Sequence, residues 1–279
     1  MADGRSDLGL KLLKKKILKD RGFDCSTYKE SFLRRRVEIR LRATGAQSYG
    51  EYMRVLSKTP QEYNKLLDTL AVNVTRFFRD GEVFNFFAEE VLPELILRKR
   101  ELGSKMIRVW SAGCSTGEEA YSIAILFYEY LGSDMRDFIL SIYGTDVDGE
   151  AIKKAKSGVF ASSKFIDMKK EYIDKYFVYE SGGEARVKDI IKKFVKFRQH
   201  DLMSDERLSH FDAIFCRNVL IYLDREKQKD LLKRFYDALN FGGYLILGGS
   251  ETLVDGTTGL FETISLENRV YRKRASPTQ

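Results

Sequence analysis

Proline, histidine and cysteine are all scarce in this chain of 279 residues: there are 3 prolines, 2 histidines and 3 cysteines. Cys25, Cys114 and Cys216 are odd in number, far apart and without CxxC spacing. That pattern argues against a disulfide framework and against a zinc site, so no metal is expected and a reducing cytoplasm is the expected compartment. No run of 18 or more apolar residues occurs, so no membrane-spanning helix is expected. The opening segment MADGRSDLGLKLLKKK lacks the apolar core of a secretory signal. His200 and His210 read as structural or solvated side chains.

What is present is ample core material. Hydrophobic residues make up 43% of the chain and aromatics 13%, which excludes a disordered chain and fits one large domain or two small ones. The net charge of +7 is unevenly placed. Residues 1–60 hold 15 Lys and Arg against 7 Asp and Glu, whereas the remaining 219 hold 33 against 34. The basic excess therefore lies in the first fifth of the chain.

That first segment reads as an all-helical domain, residues 1–72. Leu8, Leu12, Leu13 and Ile17 recur at helical spacing. Thr27 with Glu30 has capping-box spacing ahead of a helix that Gly45 stops, and Ser48 with Glu51 repeats the pattern. Pro60 suits a first helical turn, followed by Tyr63, Leu66, Leu67 and Leu70. From residue 73 to 279 the pattern changes. Phe84–Leu102 reads as a helix disturbed at Pro93. Strands are expected at Met106–Trp110, Phe138–Tyr143, Phe194–Gln199, Phe211–Cys216 and Tyr244–Leu247. Helices are expected at Glu118–Leu131, Glu150–Lys156 and Arg225–Leu239. Such alternation predicts an α/β domain with a mostly parallel, Rossmann-like sheet. Residues 158–198 break the rhythm around Ser181-Gly182-Gly183 and read as an inserted small antiparallel β subdomain.

The most informative stretch is RVWSAGCSTGEEAYSIA, Arg108–Ala124: a strand, a turn containing Gly113 and Gly117, then a helix. Ligands of such sheets bind beyond the carboxyl ends of the strands, and Asp146 at the next strand end is placed to accept hydrogen bonds from ribose hydroxyls. Ser115 stands where a dinucleotide fingerprint needs its middle glycine. Glu118 and Glu119 open the helix and would repel a pyrophosphate while welcoming a cation. S-adenosylmethionine meets these conditions, having a ribose, a sulfonium, an ammonium group and no phosphate.

At these residues the sequence resembles the CheR-type chemoreceptor methyltransferases. VWSAGCSTGEEAYSIA is similar to their VWSAxxSTGEEPYSxA motif, with Ala120 departing from the usual proline. NVTRFFRD (Asn73–Asp80), YGTDVD, FDAIFCRNVLIYLD (Phe211–Asp224) and the basic helix YKESFLRRRVEIRLRATG match further segments in order, over residues 28 to about 250. The resemblance implies a methyl transfer from S-adenosylmethionine to receptor glutamates, leaving S-adenosylhomocysteine. It implies cofactor contacts at Asn73, Thr75, Arg79, Gly113, Glu119, Asp146, Asn218 and Val219. Asp201 and Leu202 would flank the adenine, where the family commonly has Asn-Leu. Arg79 is expected to orient the acceptor carboxylate and Tyr222 to shape the transfer site. Small β subdomains at the place of 158–198 bind a receptor tail in some members.

This chemistry needs no general base, because a glutamate is already ionised at neutral pH, with a reference pKa of about 4.3. On the basic helix Leu33, Val37 and Leu41 should pack inward. Arg35, Arg36, Arg40 and Arg42 are the candidates for docking acidic receptor helices, although they point in more than one direction and some are expected to meet water or internal carboxylates. A monomer is expected. Two rival functions fit these residues less well. Amino-methylation of nucleic-acid bases uses a [DN]-P-P-[YF] motif, whereas Arg217-Asn218-Val219-Leu220 stands there instead. A non-catalytic cofactor sensor, the second rival, sits poorly with intact Asn73, Arg79, Glu119 and Asp146.

Overall fold

A computed structural model describes residues 7–21, 23–70 and 75–274. The chain divides into two compact units, Met1–Asn73 with Tyr222–Lys227, and Val74–Ile221 with Gln228–Gln279.

The first unit is helical: α1 Asp7–Arg21, α2 Glu30–Thr44, α3 Tyr49–Lys58 and α4 Pro60–Leu70. On α1 the buried stripe is Leu10, Leu13 and Ile17, while Leu8 and Leu12, expected inside, are exposed. The i, i+3, i+7 row that starts at Leu10 is the one that faces the other helices. Leu33, Val37 and Leu41 are buried on α2 as expected. The residue at the cap of α2 is Lys29, two positions later than the expected Thr27, and it makes no side-chain cap bond. Cys25–Thr27 instead makes a single 3₁₀ turn capped by Asp24. At α3 the second box does form, with Ser48 accepting the Glu51 N–H at 3.2 Å.

In the second unit α5 Gly81–Phe86 and α6 Leu92–Glu101 are joined by a π-helical turn, Phe87–Val91. Pro93 at the start of α6 has no N–H for the preceding turn, which widens rather than breaks. The remaining elements are β1 Met106–Ala112, α7 Glu118–Leu131, β2 Ile139–Asp146, α8 Gly149–Ser157, β3 Val159–Ala161, α9 Lys170–Tyr176, β4 Phe177–Tyr179, β5 Glu184–Val187, α10 Asp189–Lys192, β6 Val195–Gln199, β7 Phe211–Cys216, α11 Arg225–Ala238, β8 Leu239–Leu247, β9 Phe261–Ser265 and β10 Val270–Lys273.

Seven strands form one sheet in the order β6-β2-β1-β7-β8-β10-β9. The first five run parallel, and β10 pairs antiparallel with both β8 and β9. All six residues of β7 are buried, as a central parallel strand covered on both faces requires. The segment 158–198 splits in two. β3, β5 and β4 make a separate antiparallel sheet, whereas β6 belongs to the edge of the main sheet beside β2. The closing hairpin of β9 and β10 has no counterpart among the sequence expectations. From β1 the chain winds outward through β2 and β6, then returns to β7 on the other side of β1. The carboxyl ends of β1 and β7 therefore flank the topological switch point, where a crevice opens in this class of sheet.

Candidate cofactor site

Two loops meet at that switch point. Gly113 follows β1 and has φ +80, a left-handed conformation that costs glycine little. A Cβ added there would lie 2.5 Å from Val219 Cγ2, on the loop after β7. The two expected cofactor residues are thus packed together, and the glycine is what lets them approach. The amides of Gly113 and Cys114 donate to the Thr145 carbonyl at 2.8 and 2.9 Å, tying this loop to the end of β2.

Asp146 sits at that strand end. Its two carboxylate oxygens accept the backbone N–H of Ser115 at 2.8 Å and of Asp148 at 2.9 Å. These bonds fix the carboxylate while leaving further lone pairs for a ligand. Burial pushes its pKa up to about 6, against the lowering effect of those amides. The His200 amide donates to the Asp146 carbonyl at 2.9 Å, so the loop carrying Asp201 and Leu202 starts beside it. Asp201 accepts the Met203 N–H at 2.8 Å. The His200 ring is buried against Trp110, and burial lowers its pKa.

The two glutamates that open α7 differ in role. Glu118 is fully buried and pairs with Lys164 at 3.1 Å, so its charge is used internally and does not meet a ligand as the sequence suggested. Lys164 also donates to the Thr75 carbonyl at 2.7 Å. Glu119 accepts from Ser111 Oγ at 2.7 Å and from Arg217 at 3.4 Å. Burial raises its pKa, opposed by Arg217.

Arg217 itself is a hub. It donates to the Arg79 carbonyl at 2.8 Å and to the Asp80 carboxylate at 2.6 Å, and its guanidinium lies 5.1 Å from the centre of the Phe84 ring. The backbone of Arg79 is thereby linked to Glu119 through one cation. The Arg79 side chain is about one-third exposed and lies 4.0 Å from Asp80. Asn73 lies outside the described residues. Tyr222 groups with the helical unit, where its ring lies 4.7 Å from that of Phe32 and its carbonyl accepts the Lys29 N–H at 2.8 Å.

The sequence reading missed Ser111, Lys164, Arg217 and Glu251. Arg217 stands inside a segment already singled out, one residue before Asn218. Glu251 follows a glycine pair just beyond a parallel strand, the same kind of position that drew attention to Asp146. Among the described residues no group of three or more His, Cys, Asp or Glu is arranged to hold a metal, and no helix is long and apolar enough to cross a membrane.

The donor set fits a nucleoside that carries a cation and lacks phosphate. A fixed carboxylate at the β2 end suits ribose hydroxyls, a glutamate 3.4 Å from Arg217 stands in the first turn of α7, and the glycine at the β1 end lets Val219 of the loop after β7 approach closely. The comparisons agree with this fit. Residues 73–270 match the family model described as CheR methyltransferase, SAM binding domain, and residues 8–71 match the CheR methyltransferase all-alpha domain. The chain belongs to the CheR methyltransferase family. Its cofactor is S-adenosylmethionine. The chemotaxis protein methyltransferase of Borreliella burgdorferi is 33% identical, with 83% of each chain covered, and that of Escherichia coli is 31% identical, with 88% of this chain and 85% of the relative covered. An uncharacterised 104.1 kDa protein of Rhodobacter capsulatus is 35% identical over 88% of this chain, which spans only 25% of that relative.

Proposed function

We propose that this CheR-family chain methylates glutamate carboxylates on the cytoplasmic signalling helices of chemoreceptors, forming glutamyl methyl esters. The observation that favours a carboxylate acceptor is the burial of the histidine beside Asp146. The His200 ring, the imidazole that could have served as a base there, is packed against Trp110 with its pKa lowered by burial. An acceptor that is already ionised needs no such base, and a carboxylate is one.

When bound, S-adenosylmethionine would supply a methyl carbon on a sulfonium, open to in-line attack by a carboxylate oxygen with the thioether sulfur of S-adenosylhomocysteine as the leaving group. Asp146 accepts from the ribose hydroxyls. Glu119 answers the positive charge of the methionine portion, and Asn218 and Val219 line that portion, with Thr75 and Asn73 nearby in the family pattern. Asp201 and Leu202 flank the adenine. Arg79 orients the incoming carboxylate, and Tyr222 shapes the place of transfer. Holding the reacting groups in line can supply about 7–11 kcal/mol of the barrier reduction.

On α2, Arg35 and Arg42 are exposed, and Arg42 is 3.7 Å from Glu38. Arg36 is half-buried over the Phe32 ring. Arg35 and Arg42, nearly aligned on one side of α2, form the basic face offered to acidic receptor helices, with Arg36 about 100° round the helix. Each exposed pair contributes only ~0–1 kcal/mol, so the face aids encounter and register more than affinity. Arg40, counted with them from sequence, is committed to Glu62 inside the helical unit.

Labelled S-adenosylmethionine incubated with the chain and receptor should leave base-labile label on glutamate. Label on nucleic acid instead, or cofactor binding with no receptor labelling, would reject this reading. Arg79→Ala is expected to lower receptor methylation on the order of 100-fold, the scale of removing one charge-stabilising donor. Full turnover with unchanged cofactor affinity would remove Arg79 from the site.

A further inference from the structure

Glu251 lies in none of the motifs singled out in the sequence, yet its carboxylate is nearly inaccessible, with the residue 4% exposed. Its Oε2 accepts the N–H of Gly248 at 2.7 Å and of Asn218 at 2.9 Å. Its Oε1 accepts the N–H of Ile221 at 3.3 Å. Gly248 follows β8 and Asn218 follows β7, so one buried anion ties together the loops at the carboxyl ends of two neighbouring parallel strands. A single side chain that accepts three backbone amides from two loops is a strong local constraint, because bonds to an ionised acceptor are stronger than those between neutral groups.

The constraint bears on an unusual backbone. Asn218 has φ +60, in the left-handed region, which asparagine enters more readily than most other non-glycine residues. There is no slack around it. A Cβ at Gly248 would lie 2.8 Å from both the Asn218 nitrogen and Glu251 Oε2. The next residue, Val219, is the one packed against Gly113. The other end of the turn is held as well, by Gln228 Nε2 donating to the Leu220 carbonyl at 2.8 Å. Burial raises the pKa of Glu251, and those backbone amides oppose the rise.

We infer that Glu251 is a positioning residue for the cofactor: it locks the Asn218–Ile221 turn so that Asn218 and Val219 present a preformed wall to the methionine portion of S-adenosylmethionine. This rests on the reading that Asn218 and Val219 line the cofactor. A carboxamide at 251 keeps the size but turns an NH₂ toward amides that need an acceptor, so the turn loosens while the fold stays.

The test compares Glu251→Gln, Gly248→Ala and Asp146→Asn with the unaltered chain, by calorimetric binding of S-adenosylhomocysteine, by thermal melting without ligand, and by steady-state methyl transfer. Glu251→Gln is expected to weaken S-adenosylhomocysteine binding about tenfold and to raise KM for S-adenosylmethionine by a similar factor, with kcat changed less than threefold. Gly248→Ala presses on the same turn from its other side and should reproduce that pattern, which keeps the test open if Glu251→Gln folds poorly. Glu251→Asp, with a shorter carboxylate, should recover part of the affinity. A lowered melting temperature with ligand affinity and KM within twofold of the unaltered chain in both variants would overturn the inference and leave Glu251 a purely structural residue. If Asp146→Asn also left affinity unchanged, the placement of the cofactor would fail; if Asp146→Asn alone weakened binding, only the role of Glu251 would.

Discussion

Asp146→Asn is expected to weaken S-adenosylmethionine binding on the order of 100-fold while leaving the fold intact. The carboxylate accepts two backbone amides, from Ser115 and Asp148. An asparagine can serve one of them with its oxygen and must turn its NH₂ toward the other. The ligand side loses too, because a ribose hydroxyl then meets a neutral acceptor or a donor. Bonds to a charged acceptor are worth about 1.5–3 kcal/mol, and a net loss near 3 kcal/mol is roughly two powers of ten in Kd. The pKa supplies an independent reading of the same group. Burial raises the pKa of Asp146 from 3.8 to about 6. The folded state therefore holds this proton more tightly than the unfolded one, so the stability contributed by Asp146 is present in acid and is lost as pH rises through about 6. Cofactor binding has the opposite dependence, since the ribose needs the anion. At pH 5 about nine-tenths of Asp146 is protonated, and the apparent Kd should be about tenfold weaker than at pH 7. Binding measured from pH 5 to 8 should show this slope in the unaltered chain and lose it in Asp146→Asn. A flat profile in the unaltered chain would take Asp146 out of the binding reaction.

The legible parts of this molecule were those whose physics is local. β7 and α7 appear at the expected residues, Phe211–Cys216 and Glu118–Leu131, because a run that is apolar but for Asp212 and a glycine-then-glutamate start each carry their own signal. The switch-point residues Gly113 and Asp146 were legible as strand-end residues in a strand–turn–helix pattern. What stayed hidden depends on chain segments far apart. The partner of Glu118 is Lys164, and the partners of Arg217 are Asp80 and Glu119. Nothing near Glu118 announces that its charge is cancelled from the inserted segment. The β6 strand was read as a strand but also counted within the insertion, because sequence order does not reveal that Val195–Gln199 pairs with β2. The α1 stripe was misassigned for a related reason: two leucine rows are available on that helix, and only packing chooses between them.

Arg40 shows most clearly where a basic helix stops being a docking surface. From sequence it is one of several arginines on α2. In the structure its Nε and one terminal nitrogen donate to the two oxygens of Glu62, each at 2.9 Å, and Tyr52 donates to the same carboxylate at 2.9 Å. Glu62 is 4% exposed and Tyr52 fully buried, so the carboxylate of this ion pair lies inside the helical unit, while the Arg40 side chain keeps 16% exposure. Burial, together with the hydrogen bond to Glu62, raises the pKa of the Tyr52 hydroxyl. Breaking a buried pair leaves a desolvated charge and costs about 3–5 kcal/mol, a large share of the stability of any domain. Arg40→Glu goes further, because it sets two carboxylates against each other beside a hydroxyl that can satisfy only one. That variant is expected to unfold the helical unit at or below physiological temperature, visible as an early melting transition and a loss of helical circular dichroism. Receptor methylation would then fall for a reason unrelated to docking. Arg35 supplies the contrast: it is exposed and makes no ion pair among the described residues. Arg35→Glu should melt within a degree or two of the unaltered chain, bind S-adenosylhomocysteine equally well, and lose receptor methylation severalfold at low salt. Exposed charges are screened over about 10 Å at 0.1 M salt, so the two chains should converge as salt is raised. If Arg35→Glu methylated receptor at the unaltered rate in low salt, the exposed basic face of α2 would serve only solubility; if Arg40→Glu melted normally, the Arg40–Glu62 pair would not be the internal tie that its geometry implies.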